Sequence, residues 1–503
     1  MKKKIAKIVV VLLTGALSLS TGCKKYLNVT PIDNLSGNTF WQTKADVESF
    51  TGGIYNRFRT ATMDVIFFPG TGDLRGAPVN AAVTGREYIG ELRNNDINVL
   101  LSKVQDNYFG GDYFGFRKIT QWNDFYIMVQ NANILYEQVD KLEDGILSTG
   151  EKRMYKAEAV FLRNLAYFFM VRLYGDVAYY TNAYNSQPLA RMDMVEVLDN
   201  CIADLMLVKD DLPWTYDDPS IVAVRAMRGS AIALLMHMNM WAAGFTKSSK
   251  TPYYEEVATL GAEIMNNPNT YELIPLERTK DIFKGKTKEG LFEIVQSLNY
   301  GEQFKNAGPF SDYVLRSPNK LAVEKSFLYF DTKFMQKLYP EGIADRRKDI
   351  WFDQYIYNKT GLFQMLKFVN IFAEEGEDLN PDDNQIVFRY ADAILLNAEA
   401  LAELERYTES RAALNEIRKR AGATEITSEG QKLKDDIYWE RCRELMGEGH
   451  YFYDLVRTRK AIDPDYSFAT IGVDAFNRGA WTWPIDAAAL TNNPNMILNN
   501  YWR

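Results

Sequence analysis

The run KAEAVFLRNLAYFFMVRLYGD, residues 156–176, decides the fold. Ala157, Phe161, Leu165 and Phe168 follow one another at spacings of 4, 4 and 3, which stacks them on one face of an α-helix. Gly175 then supplies a left-handed stop. The same signature recurs along the chain. In VEVLDNCIADLMLVKDDLP, residues 195–213, Leu198, Ile202, Leu205 and Val208 repeat it before Pro213, which is expected to end the helix. VAVRAMRGSAIALLMHMNMWAAGF, residues 222–245, is rich in Ala and Met, and its small residues let neighbouring helices approach closely. RYADAILLNAEALAEL, residues 389–404, sets Ala391, Leu395, Ala398 and Ala402 at spacings of 4, 3 and 4, and ESRAALNEIRKRAG closes at Gly422. Long helix, short turn and long helix with Ala-rich faces predict a mainly α fold of tetratricopeptide-like hairpins, one group near 150–245 and another near 385–460.

Between these groups the helical period is lost. Residues 61–119 carry PGTGDLRGAP and YFGGDYFGF, dense in Gly and aromatics. Residues 275–385 carry short β-like runs such as LFEIVQSL among many Gly, Pro and Asn breaks, so a loop-rich region with short strands is expected. Long aromatic loops in a globular chain point to function rather than disorder.

The chain has 503 residues, 47% hydrophobic and 25% charged, enough to bury a large core. Its start is distinctive. Lys2, Lys3, Lys4 and Lys7 precede an apolar run from Ile8 to Leu19 and then Ser20-Thr21-Gly22 before Cys23. That order reads as a secretory signal peptide over 1–22, too short in its apolar part to span a bilayer. Cys23 is then the expected lipid attachment point and first mature residue. Removing the signal takes four Lys and no acid from 58 bases and 66 acids, leaving 54 against 66, or −12. A mature chain that acidic is poorly suited to nucleic acid, and no other run of roughly twenty apolar residues exists. Cys201 and Cys442 fall within helical patterns, so no disulfide framework is implied; one bridge or two buried thiols both fit.

Gly285–Thr287 reads GKT, but Lys280 stands where a phosphate-binding loop needs its first Gly. Gly70, Gly72 and Gly76 miss the dinucleotide spacing by one residue, which leaves a turn-rich surface loop as the expectation. No HExxH or GxSxG occurs, and His237 and His450, the only histidines, stand far apart in sequence, so no zinc set and no metal are expected. WERCRELMGEGHYFYDLVRTRK, residues 439–460, gathers Glu440, Arg441, Glu444, Glu448, His450 and Asp454. His450 and Asp454 are a helical turn apart, as a base and its orienting carboxylate would be. Arg beside Glu favours the ionised acid and opposes general-acid work, so a buried ion-pair network between helices is the expected role.

Six segments resemble, in order, the SusD/RagB family of nutrient-binding outer-membrane lipoproteins of Bacteroidetes-type bacteria. They are CKKYLNVTP with FWQTKADVESFTGGIYNRF, AEAVFLRNLAYFFMVRLYGDV, FRYADAILLNAEALAE, ERCRELMGEGHYFYDLVRTRK and WTWPIDAAALTNNPNMILNNYW. The chain departs from the family pattern at Gly447, at Tyr451 where an Arg is usual, at Asp486 where a Pro is usual, and at Lys24-Lys25. The resemblance implies about four tetratricopeptide-like pairs in a single unit over 23–503, with the halves near 23–245 and 275–503 both contributing. It further implies a non-enzymatic receptor, acylated at Cys23 and facing outward from the outer membrane. Such a receptor binds a glycan or, in the alternative, a peptide, without cofactor, and lids a SusC-like TonB-dependent transporter.

Sugar recognition needs aromatic rings for CH faces and polar groups for hydroxyls. The first loop region offers Phe67, Phe68, Asp73, Arg75, Tyr88, Tyr108, Phe109, Asp112, Tyr113 and Phe114. The second offers Tyr300, Gln303, Phe304, Asn306, Phe310 and Tyr313. Asp73, Arg75, Tyr108, Phe109, Tyr113, Tyr300 and Phe304 are the expected ligand contacts, whereas Trp122, Trp241 and Trp439 lie on helical patterns and are expected in the core. Two rival classes are a surface glycoside hydrolase or peptidase, and a repeat scaffold for protein alone. Release of reducing ends would reveal the first, and failure of the isolated chain to bind small ligands the second.

Overall fold

Ser148 starts the longest helix by accepting from the Glu151 amide, while the Glu151 carboxylate takes the Ser148 amide, a reciprocal cap. In the computed structural model, which describes residues 40–503 apart from 110, 268, 297–307, 321–322, 355, 358–362, 370–382 and 492, that helix runs Thr149–Tyr174. It is buried almost continuously from Ala157 to Tyr174 and stops at Gly175, whose φ is 72°. A second reciprocal cap, Thr43 with Asp46, opens helix α1, Lys44–Met63. The remaining long helices are α2, Asn123–Lys141; α3, Thr149–Tyr174; α4, Met194–Met206; α5, Arg228–Phe245; α6, Thr251–Met265; α7, Tyr390–Glu403; α8, Tyr407–Arg420; and α9, Gly430–Glu444. Two short ones follow, α10, Tyr451–Arg457, and α11, Val473–Arg478.

The helices stack as anticipated. α2 pairs with α3, α5 with α6 and α7 with α8, and α4, α6 and α9 carry the stack from one pair to the next. Close approach relies on small residues: a Cβ on Gly261 of α6 would lie 2.4 Å from the Asn397 side chain of α7, and one on Gly244 of α5 would lie 2.3 Å from the Arg457 carbonyl oxygen. α4 ends at Met206, ahead of Pro213, and a short 3₁₀ turn over Lys209–Asp211 fills the interval.

Two antiparallel strand pairs tie the loop-rich parts to the stack. β1, Val79–Ala81, pairs with β3, Leu328–Phe330; β2, Gly290–Ile294, pairs with β4, Gln385–Arg389, through a bulge near Phe292. LFEI, residues 291–294, lies in β2, and because β4 leads directly into α7 that strand is fixed to the start of a hairpin.

The first loop region differs from expectation. Tyr88–Arg93, Ile97–Gln105 and Phe116–Ile119 are helical, and Pro69–Asp73 forms one wide turn of π-helix that is buried throughout. The glycine-rich segment is therefore not a surface loop. Its physical reason is Gly72: a Cβ there would sit 2.3 Å from the Gly449 carbonyl oxygen, so two backbones touch where any side chain would hold them apart. Trp122 and Trp241 are core residues as expected, whereas Trp439 is only half-buried, stacked on Tyr466. Cys201 and Cys442 are buried free thiols.

Candidate functional site

Two of the proposed contacts are withdrawn by burial. Asp73, 5% exposed, accepts the Gly449 amide at 2.8 Å, and Arg75, 1% exposed, donates to Asn95 and to the carbonyls of Ala480 and Thr482. Its guanidinium lies 4.3 Å from the Phe452 ring centre. Burial pushes the Asp73 carboxyl well above its usual range and lowers Arg75 to about 9. Both brace the π-turn against α10, and both side chains are buried. Phe67, Phe68, Phe114, Phe310 and Tyr313 are likewise core.

What the first loop region does present is an aromatic ridge. Tyr108 and Tyr113 are 60% and 59% exposed, far above the other rings of that region. Tyr108 meets Phe109 edge-on at 5.1 Å, Phe109 meets Tyr88 at 5.9 Å, Tyr88 meets Phe114 at 4.3 Å and Phe114 meets Tyr113 at 5.0 Å. Two exposed phenols thus stand at the ends of a chain of rings whose base is buried. The base also joins the two loop regions, since the Tyr88 and Tyr313 hydroxyls are 3.1 Å apart. Polar groups flank it. Arg86 lies 4.9 Å from the centre of Phe114 and 4.3 Å from that of Phe327, and Lys103, bonded to Glu91, sits 5.3 Å from the centre of Tyr108. Asp112 accepts the Arg117 amide at 3.0 Å with one oxygen. Arg86, Glu91 and Lys103 were not anticipated; Glu91 and Lys103 lie in short helices whose periodicity is too brief to read, and Arg86 lies just before the first of them. Cys23, Tyr300, Gln303, Phe304 and Asn306 lie outside the described residues.

The enzyme-like cluster is an ion-pair network. Arg347, with a fully buried side chain, bonds Asp345, Glu440 and Glu444; Arg389 bonds Glu289, Glu444 and Glu448; Lys367 bonds Glu448 at 2.6 Å. Arg441 spans Asp392 and Asp454, and Arg457 joins Asp454 to Glu399. Burial raises these carboxyls, but the surrounding guanidinium groups outweigh it and hold Glu444 and Asp454 near 2. They are ionised and suit scaffolding rather than proton donation. Glu293 differs, pushed by burial to about 7, yet it is 1% exposed and committed to Asn384 and the Lys286 amide. His450 is not on a continuous helix with Glu440: Gly447 and Gly449, with φ of 82° and 85°, break the run, and His450 precedes α10.

The two histidines, far apart in sequence, meet in space. His237 and His450 stack with ring centres 5.6 Å apart, and with Asp392 they bring one potential metal-ligand atom each within 4.8 Å of one another. The group is nevertheless already engaged. His237 Nε2 lies 2.6 Å from one Asp392 oxygen and Arg441 takes the other at 2.8 Å, so a cation would meet a guanidinium and a bonded carboxylate. Burial lowers both histidines, His450 to about 4, leaving neutral rings in a structural hydrogen-bond cluster.

With this geometry the comparisons are unambiguous. Residues 353–502 match the family model described as "SusD family", and residues 88–239 match one described as "Starch-binding associating with outer membrane". A SusD homolog from Bacteroides thetaiotaomicron of known crystal structure is 43% identical, covering 92% of this chain and all of its own, with a TM-score of 0.85. This chain belongs to the SusD family. SusD-like protein P25 of Formosa agariphila is 26% identical over 477 residues, with 86% of each chain covered. A structure described as "Laminarin binding SusD-like protein" shares the fold at 22% identity, over 91% of this chain and 99% of its own, with a TM-score of 0.67. In this SusD family member most of the ion-pair network lies in the region of the first match, with Glu289, Asp345 and Arg347 before it, and the ridge opens the second. No helix among the described residues is long and apolar enough to cross a membrane.

Proposed function

We propose that this protein is a cell-surface receptor, lipid-anchored to the outer membrane through Cys23, that captures an oligo- or polysaccharide and passes it to a SusC-like TonB-dependent transporter. The observation carrying the glycan reading is the exposure of Tyr108 and Tyr113 on one buried ring cluster. Rings held rigidly at the surface lose little freedom on stacking against a sugar's CH face, and Arg86, Lys103 and Glu91 offer partners for its hydroxyls. The family description and the laminarin-binding neighbour support a glucan as the first ligand to try. The signal-like segment before Cys23 supports the anchor.

The test is affinity electrophoresis of the purified chain against a polysaccharide panel that includes laminarin, with isothermal titration for any hit. Tyr108→Ala with Tyr113→Ala should weaken binding by about tenfold or more without altering the far-UV spectrum. Unchanged affinity would sink the ridge as the site, and released reducing ends would replace the receptor with a hydrolase.

A further inference from the structure

A second recess lies away from the ridge and shares no residue with it. It is a cleft of about 530 Å³ between the end of α3, the start of α4, the end of α5, α11 and the C-terminal tail. Cavities of roughly 300–1,000 Å³ are the size that holds small ligands. Arg191, Lys247, Arg459, Arg478 and Arg503 line it, and the acidic side chains among the lining residues are Asp176 and Asp193. The chain carries a net charge of −8, so this is a local inversion of sign.

The carboxylates do not neutralise the cations. Asp193 caps α4 by accepting the Val195 and Glu196 amides, and Asp176 accepts the Met194 amide at 3.0 Å. None of the five cations has a carboxylate within 4.0 Å among the described residues. Elsewhere in the molecule Arg347, Arg389, Arg441 and Arg457 each hold two or more. Arg191 has a separate duty, donating to the Asp176, Tyr174 and Ile497 carbonyls and so binding the tail to α3. Lys247, Arg459 and Arg478 remain exposed. Arg459 is aimed by a left-handed backbone, φ 58°, and lies 5.5 Å from the centre of Phe476. Beneath it Phe245, half-buried, stacks parallel to the buried Phe476 and meets the buried Trp481 at 5.0 Å, so one partly exposed ring backed by core lies under the cationic rim.

We propose that this cleft binds an acidic saccharide unit, its carboxylate or sulfate held by Arg459, Arg478 and Lys247 and its ring laid against Phe245. Anions paired with guanidinium groups form short, charge-assisted hydrogen bonds, which a neutral sugar cannot match. The saccharide part rests on the glycan reading above, whereas the preference for negative charge rests on the cleft alone.

The experiment titrates the full chain with oligogalacturonate, a sulfated disaccharide, maltotriose and sodium sulfate alone. Wild type should bind the two acidic sugars, and rising ionic strength should weaken that binding. Arg459→Ala with Arg478→Ala should weaken it by about tenfold or more, while the corresponding Lys pair retains part of it. Acidic sugars that do not bind, or that bind equally to the Arg→Ala pair, overturn the proposal. Sulfate binding as tightly as the sugars overturns the saccharide assignment. Neutral glycans binding through the Tyr pair while acidic ones ignore the Arg pair would sink the cleft and spare the ridge. No glycan of either kind binding would sink the receptor reading itself.

Discussion

Glu448→Gln is the most informative single change in the scaffold, because it keeps shape and removes one charge from a closed circuit. The Glu448 side chain is 1% exposed; Oε2 accepts from Arg389 Nε at 2.6 Å, and Oε1 accepts from Arg389 Nη2 at 2.9 Å and Lys367 Nζ at 2.6 Å. Burial opposes its charge, but Arg389 and Lys367 win and hold its carboxyl below the usual range. An amide keeps one acceptor and turns a donor toward two cations. Removing one partner of a buried pair costs about 3–5 kcal/mol. Arg389 retains Glu289 and Glu444, and Lys367 retains the Glu444 and Met446 carbonyls, so the lower figure, about 3 kcal/mol, applies. Guanidinium unfolding followed by Trp fluorescence and by far-UV circular dichroism measures it, provided the two transitions coincide. Adding Lys367→Met should recover much of the loss, since it withdraws the stranded cation. A cost under about 1 kcal/mol, or a double variant worse than the two single losses combined, would refute the reasoning.

Other expectations follow from burial and backbone contact. Gly72→Ala should destabilise by about 3 kcal/mol, because the new methyl meets the Gly449 backbone at 2.3 Å; the same denaturant titration checks it. Asp73→Asn should be neutral or stabilising at neutral pH and leave glycan affinity unchanged, since burial already raises that carboxyl and its charge weakens the fold as pH climbs. His450, neutral in the fold with its value lowered from 6.5 to about 4, faces His237, Asp392, Arg441 and Asp454. The unfolded chain takes up that proton first, so stability present above pH 6.5 falls by about 3 kcal/mol as pH drops toward 4. The wild-type unfolding midpoint should drop through that window and the His450→Gln midpoint should drop less.

The helices were legible where apolar residues kept a period over several turns, as in α3 and α7, and where Ser148 or Gly175 marked an end. Shorter helices were missed for lack of length: Ile97–Gln105 has only Ile97, Leu100 and Val104 to show. The glycine-rich segment misled for another reason. Gly-rich composition signals close backbone approach as readily as a turn, and only the position of Gly449 tells which. The site divided likewise. Aromatic content pointed to the stretch that carries the exposed rings, but exposure depends on what the fold stacks beneath, so Tyr108 and Tyr113 were expected alongside Asp73 and Arg75, which are buried. The basic cleft was invisible because its five cations, Arg191, Lys247, Arg459, Arg478 and Arg503, come from separate parts of the chain.

The ion-pair motif and the ridge are mechanically one object. A Cβ on Gly447 would come within 2.5 Å of the Phe310 ring and 2.7 Å of Phe368, so the break between α9 and α10 is the seat on which Phe310 rests. Phe310 packs on Tyr313, 6.4 Å between centres, and Tyr313 shares its hydroxyl contact with Tyr88 at the ridge base. Buried charges around Glu444 and Glu448 add little net stability over apolar packing, yet each pair tolerates only one register of the strands and helices it joins. What that register delivers is a fixed position for Gly447, hence for Phe310, Tyr313 and Tyr88, and so for two phenols held out to solvent. Rigid placement lowers the ordering cost of capture, which is where the proposed receptor would gain its affinity.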